Sequence, residues 1–339
     1  LDKDNSTFPY FAAMKEYTWG IIGPGKIANK FAVALTLAGR TRLVAIASRD
    51  AARGKAFAAT HGANRVYDTY EQLAADPSID AVYIATPHGF HAEHALLCLQ
   101  QGKAVLCEKP MALSARQVAE MVEASVSHRA FLMEAMWTRF IPLMQQTIDL
   151  IGEGKIGTLK YIRADFGFLS SFNPEGRLYN LRLGGGSLLD IGIYPLFLCL
   201  QLMGEPDEIR AAGYLSPTGS DETCHVILAW RNGQSAVISS TLACQTSLTA
   251  EIAGTEGMIR IPTPWYKNDK LEWNRTGEEA HPVQLAPMIN GFEYQIREVT
   301  RCLDAGLIES PSMSHAFSRM MARTMDSIRH QIGVKYPTE

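Results

Sequence analysis

The chain has 339 residues, with 32 Lys and Arg against 35 Asp and Glu and a formal charge of -3. At roughly 150 residues per domain, that length suggests two domains, each large enough to bury a core. Hydrophobic residues at 47% and charged residues at 20% exclude a disordered or fibrous chain, and the absence of a Lys/Arg run leaves no footprint for nucleic acid.

Six cysteines are scattered without a C-x-x-C pair. Most lie in apolar runs such as Val105-Leu106-Cys107, as expected of buried thiols kept reduced in the cytoplasm. No apolar stretch reaches the roughly 20 residues that cross a bilayer. The longest, residues 188–203, is broken by Asp190, Gly192, Pro195 and Gln201, so no membrane partner is expected. Residues 1–13 have no apolar core long enough for a signal peptide and read as a leader ahead of a natural start at Met14.

In chain order, residues 18–23 form an apolar run ending in glycine, which suits a buried parallel strand. Residues 26–38 place Ile27, Phe31, Ala34, Leu35 and Ala38 at helical spacing before Gly39. A strand at 43–47, a helix to about His61, and a short strand and helix at 66–75 follow. Strands at 81–85, 104–107 and 131–133 then alternate with helices at 91–101 and 115–127. That alternation means a parallel sheet covered on both faces. After about Gly157 the pattern changes to successive strands at 160–168, 224–230, 236–243 and 249–253, without helices between most of them, which indicates antiparallel pairing. Helices at 292–305 and 314–332 close the chain. The expected division is 14–135 and 136–339, with the last helix free to pack back on the first domain.

Gly23-Pro24-Gly25-Lys26-Ile27-Ala28 is G-x-G-x-x-A between a strand and a helix, the context that a dinucleotide fingerprint requires. Gly23 permits the turn, Gly25 lets backbone approach a pyrophosphate, and Ala28 keeps the helix close to the sheet. The helix N-terminus then faces the anion. Gly23, Gly25, Lys26, Ile27 and Ala28 are therefore expected at the cofactor. NAD-binding versions place Asp or Glu at the end of the second strand, where this chain has Ser48-Arg49. A guanidinium suits a 2′-phosphate, so NADP is expected over NAD, while Asp50 is expected to cap the next helix.

Glu108-Lys109-Pro110 follows a buried strand, which aims Lys109 at the crevice; the alternative is a surface lysine paired with Glu108. Gly184-Gly185-Gly186 precedes an apolar segment carrying Asp190 and Tyr194, four residues apart and so on one helix face. The three glycines read as a turn that a ligand can approach. The polar pair reads either as part of a site or as a structural hydrogen bond.

Together the G-x-G-x-x-A turn, Ala85-Thr86-Pro87 with His91, Glu108-Lys109-Pro110 and Gly-Gly-Gly-x-x-x-Asp-x-Gly resemble the glucose–fructose oxidoreductase/inositol dehydrogenase (Gfo/Idh/MocA) family over nearly the whole chain. Glu134 to Phe140, and Tyr194 where sugar dehydrogenases usually carry histidine, resemble its dihydrodiol and D-xylose dehydrogenase branch. His88 stands where many relatives have Asn. The resemblance implies an N-terminal Rossmann domain and a C-terminal α+β domain with a large, mostly antiparallel open-faced sheet that pairs subunits into a homodimer or higher oligomer.

It also implies cofactor contacts at Ser48, Arg49, Thr86, Pro87, His91, Glu108 and Lys109, a Lys109–Pro110 bond that is often cis in relatives, and catalysis by Lys109 and Tyr194. A free tyrosine has a pKa near 10, and a nearby ammonium favours its phenolate. Tyr194 is thus the expected general base, Lys109 its electrostatic partner, and Asp190 a group that orients Tyr194 or binds a substrate hydroxyl. No metal is expected; the histidines show no ligand spacing beyond His88-x-x-His91-x-x-His94, a run that starts in a loop and enters a helix. Trp137, Phe168 and Phe172 are candidates for an apolar wall, and Arg177 for a hydroxyl or phosphate contact. The expected activity is hydride transfer between NADP and a CH–OH carbon of an aldose, cyclitol or vicinal diol. The alternatives are a catalytically silent cofactor-binding sensor and an NAD-dependent inositol-type dehydrogenase.

Overall fold

The computed structural model describes residues 15–337; the expected leader and the start at Met14 lie outside the described residues. Strands β1 (Tyr17–Ile22), β2 (Thr41–Ala47), β3 (Arg65–Tyr67), β4 (Ala81–Ile84), β5 (Ala104–Glu108) and β6 (Leu132–Ala135) alternate with helices. These are α1 (Lys26–Ala38), α2 (Ala51–His61), α3 (Tyr70–Ala75), α4 (His91–Gln100) and α5 (Ala115–His128). The six strands are parallel in the order β3-β2-β1-β4-β5-β6. The order reverses between β1 and β4, and a ligand crevice belongs there, beyond the strands' carboxyl ends. Trp19, Ile21, Ile22, Val82, Tyr83 and Ile84 are wholly buried, because both faces of this sheet are covered.

The second sheet runs β14-β13-β12-β11-β7-β10-β9-β8. It comprises β7 (Leu159–Gly167), β8 (Glu208–Leu215), β9 (Asp221–Ala229), β10 (Ser235–Thr241), β11 (Ala250–Gly254), β12 (Gly257–Ile261), β13 (Lys270–Arg275) and β14 (His281–Gln284). All pairs are antiparallel except β7 with β10. On β9 and β10, Cys224, Val226, Leu228, Ala236 and Ile238 are buried, while Ile227 and Val237 point from the open face. Helices α6 (Pro142–Gly152), α7 (Ile193–Met203), α8 (Glu293–Asp304) and α9 (His315–Ile332) complete the fold.

The sequence pattern passed over α6, β8 and β12 to β14. No residue of β8 is buried, and β13 and β14 are short, largely polar strands at the other edge. An edge strand does not display the apolar alternation that marks a half-buried one. The membrane expectation also needs correcting in one respect. Residues Leu181–Met203 are long and apolar enough to cross a bilayer by length and composition, but 94% of the window is buried inside the protein. The stretch is the core support of the second sheet.

Helix α9 packs against both α5 and β8. The His315 ring lies 3.0 Å from the Leu132 carbonyl oxygen, and Ser318 donates 2.8 Å to Glu134. The buried Glu134 carboxyl also accepts from the Met111 amide at 2.9 Å, and burial pushes its pKa up to about 7. A carboxyl raised in the folded state contributes its stability below the unfolded pKa and loses it as pH rises through the folded value. Glu134→Gln keeps an acceptor for Met111 and places an amide against Ser318. The variant is expected to gain on the wild type between pH 5 and pH 8 by roughly 2 kcal/mol, read by denaturant unfolding at both pH values.

Candidate active site

The site begins where β1 meets α1. Gly23 has φ 95° and a Cβ there would lie 3.1 Å from the Ala85 carbonyl oxygen, so only glycine makes this turn. Gly25 starts α1 with no side-chain cap, and a Cβ on it would meet nothing closer than 3.7 Å. The first amides of α1 are thus left to an anion. A cavity of about 820 Å³ runs from this helix end, past Ser48 and Arg49 on one side, to Lys109, Asp190 and Tyr194 on the other.

At the first end, Asp50 caps α2 by accepting from the Arg53 amide at 3.1 Å, as its spacing predicts. Ser48 is buried, and its hydroxyl donates 2.7 Å to the Asp50 carbonyl, holding the turn. The Arg49 guanidinium lies 5.9 Å from the Phe90 ring centroid and makes no ion pair among the described residues. Arg53, absent from the sequence reading, lines the same wall and donates 3.4 Å to the Pro24 carbonyl. Thr86 and Pro87 line the cavity, with the Thr86 hydroxyl 3.0 Å from His94 Nδ1. His91 borders the cavity, yet its two ring nitrogens sit 2.8 Å from the carbonyl oxygens of Pro110 and Thr86. It ties the ends of β4 and β5 together, so its polar atoms are already committed within the protein. Among the described residues no cluster of His, Cys, Asp or Glu is placed to hold a metal.

At the other end, Lys109 directly follows β5, is joined to Pro110 by a cis bond, and is largely withdrawn from solvent, its side chain 12% exposed, rather than paired on the surface. Its ammonium donates 2.5 Å to the Asp190 carbonyl, lies 3.6 Å from the Asp190 carboxylate and stands 4.9 Å from the Tyr194 ring centroid. Burial works against that ammonium, but the facing Tyr194, Asp190 and Glu108 outweigh it and raise its pKa. Burial likewise opposes the Asp190 carboxylate, and Lys109, Arg177 and His88 together hold its pKa well below the usual range. Burial pushes Glu108 up, and Tyr83 donates to it. His88, pushed down to about 3 chiefly by burial, is a neutral ring 3.1 Å from the Gly184 carbonyl.

Three expectations change here. No hydrogen bond joins Asp190 to Tyr194. Asp190 lies in a widened π-helical turn, Leu188–Gly192, and its carboxylate takes Arg177 at 2.9 Å with Lys109 beyond. Trp137 donates its indole N–H to the Tyr194 hydroxyl at 3.0 Å instead. The net pKa of Tyr194 is raised, because burial outweighs the lowering by Lys109. The three glycines serve internal packing: a Cβ on Gly184 would lie 2.6 Å from His88 Cβ, and one on Gly185 would lie 2.9 Å from the backbone of Leu178 and Asn180.

The aromatic wall also differs. Phe166, not Phe168, packs against Tyr194, at 5.5 Å between centroids, and Tyr266 lies 5.2 Å away. Phe168 does not line the cavity, since β7 ends at Gly167 and releases the next residue. Phe172 is exposed against Tyr179. Trp137 and Phe292 do line it, as do Lys30 and Arg177. Lys30 had a signal in sequence, being one helical turn beyond Lys26, whereas Tyr266 and Phe292 had none.

The uncapped α1 terminus, the open Gly25 and the Arg49 guanidinium fit a dinucleotide, and a phenol beside an ammonium, Tyr194 with Lys109, lines the same cavity. These features define an NAD(P)-dependent oxidoreductase. Residues 17–136 match the NAD-binding Rossmann domain of the GFO/IDH/MocA oxidoreductase family, and residues 144–260 match its C-terminal domain. The chain belongs to that family.

Trans-1,2-dihydrobenzene-1,2-diol dehydrogenase of Xenopus tropicalis is 40% identical over 328 residues, covering 94% of this chain and 99% of its own. The Danio rerio enzyme of that name is 42% identical over 328 residues, covering 94% of this chain and 97% of its own. A 3-ketoreductase from Actinomadura kijaniata, solved with NADP and TDP-benzene, superimposes with a TM-score of 0.84 at 27% identity, covering 94% of this chain and 98% of its own. The Caulobacter crescentus aldose-aldose oxidoreductase, at 24% identity, TM-score 0.86 and coverage of 94% of this chain and 97% of its own, shares the fold.

Proposed function

We propose that this enzyme transfers a hydride between NADP and a CH–OH carbon of an aldose, cyclitol or vicinal diol, including dihydrodiols of the kind that name its relatives. The observation that carries this is the Tyr194 hydroxyl, with the Lys109 ammonium beside its ring, facing the cavity that the uncapped end of α1 opens. The amides of α1 would hold the pyrophosphate, and Arg49 with Arg53 the 2′-phosphate. Bound there, the nicotinamide supplies the hydride acceptor or donor. Tyr194 removes the hydroxyl proton in the oxidative direction and returns one in the reductive direction. Lys109 stabilises the phenolate, Trp137 orients the phenol, and Asp190 holds Lys109 in place.

The test is NADP⁺ reduction, with NAD⁺ in parallel, across aldoses, inositols and trans-dihydrodiols; silence throughout, with tight NADPH binding, removes the dehydrogenase reading. Arg49→Ala is expected to weaken NADPH by about 10-fold or more and NADH much less, since a charge-assisted bond contributes about 1.5–3 kcal/mol. Equal losses for both cofactors, by fluorescence titration, remove the 2′-phosphate assignment.

A homodimer through the second sheet is supported by the exposed Tyr214, Ile227 and Val237 on its open face. A cytoplasmic location suits five buried free thiols, with Cys244 alone exposed among the described residues.

A further inference from the structure

Lys30 lies one turn into α1, at the tyrosine end of the cavity. Its ammonium sits 4.6 Å from the Trp137 ring centroid and 4.3 Å from that of Phe292. Its side chain makes no hydrogen bond or ion pair with any described residue. A second ammonium, Lys267, stands 5.5 Å from the Tyr266 ring and is equally without a carboxylate. The acids nearest Lys30 are engaged elsewhere: Glu108 accepts from Tyr83 and the Lys109 amide, and Glu293 accepts from the Gly291 amide at 2.6 Å. Burial and the like charge of Lys267 both lower the pKa of Lys30, against Glu108 and Glu293. The rings hold the ammonium in place, but no described carboxylate pairs with it directly.

The position of this charge is informative. One face of the Trp137 indole carries Lys30, while its N–H meets the Tyr194 hydroxyl at 3.0 Å. A substrate with its reacting CH–OH at Tyr194 and its body along Trp137 therefore brings its far end to Lys30. Of the groups assigned to the cofactor phosphates, Arg49 follows β2 and Arg53 lies in α2, while the first amides of α1 stand about one helical turn from Lys30.

We propose that the substrate carries an anionic group, a carboxylate or a phosphate ester, several carbons from the reacting carbon, and that Lys30 binds it with Lys267 behind. The proposal rests on the dehydrogenase reading above and narrows its substrate class to acidic or phosphorylated sugars.

D-glucose, D-glucuronate and D-glucose 6-phosphate share one reacting carbon and differ only at C6, so they isolate the anion. At low ionic strength, kcat/KM with NADP⁺ for one of the two anions is expected to exceed that for glucose by about 10-fold or more. Salt shrinks this ratio, Lys30→Met brings it near one, and Lys30→Arg retains it. The leading anion tells carboxylate from phosphate.

Wild type that uses glucose as well as both anions overturns the proposal and leaves the dehydrogenase reading standing. So does a Lys30→Met variant that loses NADPH affinity but keeps the ratio, since the ammonium then serves the cofactor. If no sugar or diol turns over, the dehydrogenase reading fails separately. Titration of the enzyme–NADPH complex with the same three probes, followed by nicotinamide fluorescence, then decides the anion site alone. Lys30-dependent preference for an anion supports it, and equal or absent binding overturns it.

Discussion

Tyr194→Phe is expected to reduce kcat by about 10²–10⁴-fold in both directions while leaving NADPH affinity within about twofold, the range set by loss of a positioned acid–base group. The substitution removes one oxygen atom, and the ring keeps its packing against Phe166 and Tyr266. The Trp137 N–H loses its acceptor, at a cost to stability of about 1–3 kcal/mol. Stopped-flow hydride transfer under single turnover reads the chemical step directly; a variant that retains wild-type single-turnover rates removes Tyr194 from the proton-transfer role.

The wild-type pH profile follows from the burial of the phenol. Because its pKa stands above the ordinary tyrosine value, the phenol is protonated at neutral pH, ready to donate in carbonyl reduction. Oxidation needs the phenolate, so its rate is expected to rise with pH into the alkaline range, while reduction holds steady and then falls.

Lys109→Met has the second large effect. It removes the principal influence that lowers the Tyr194 pKa, so the oxidative limb moves further alkaline and kcat at neutral pH falls by about 10²–10³-fold. Asp190 retains Arg177 at 2.9 Å, so its carboxylate stays ionised, and destabilisation of about 1–3 kcal/mol in the melting curve is expected. The double variant Lys109→Met with Tyr194→Phe is expected to be little worse than Tyr194→Phe alone, because the two act as one unit. If Lys109 were itself the base, Tyr194→Phe would keep its activity and the alkaline displacement would be missing.

The positive charges around this site explain why Asp190 stays ionised in a buried place. Its carboxylate faces the cations Lys109 and Arg177, and these partners outweigh its loss of water. Glu134 and Asp221 have no such partners; burial raises them to about 7 and about 6, despite donors such as Ser318 and Ser187. The contrast separates a carboxylate kept charged beside Lys109 and Arg177 from carboxyls kept as structural acceptors.

Much of the fold was legible because its signals are local. The limits of α1, Lys26–Ala38, followed from apolar spacing and Gly39 alone, and the G-x-G-x-x-A turn followed from the need for positive φ at Gly23. Asp50 was readable as a cap because capping acts within one helical turn. Lys109, Asp190 and Tyr194 were readable as site candidates because polar residues among apolar neighbours need partners if buried.

Tertiary structure decided which partners they found. Trp137 reaches Tyr194 across 57 positions and Lys109 reaches Asp190 across 81, distances over which no periodicity carries information. The edge strands β8 and β14 exist because an already formed sheet offers them hydrogen bonds, not because their own residues demand burial. The sign of the Tyr194 shift depends on how much water the assembled core excludes, weighed against one ammonium. The sequence by itself determined the strand–helix order of the first domain, the cofactor turn and the candidates for the site, all set by neighbours in the chain. The assembled fold decided their pairing, their protonation and the Lys30 charge that no described carboxylate pairs with directly, because those depend on which distant segments share a low-dielectric space.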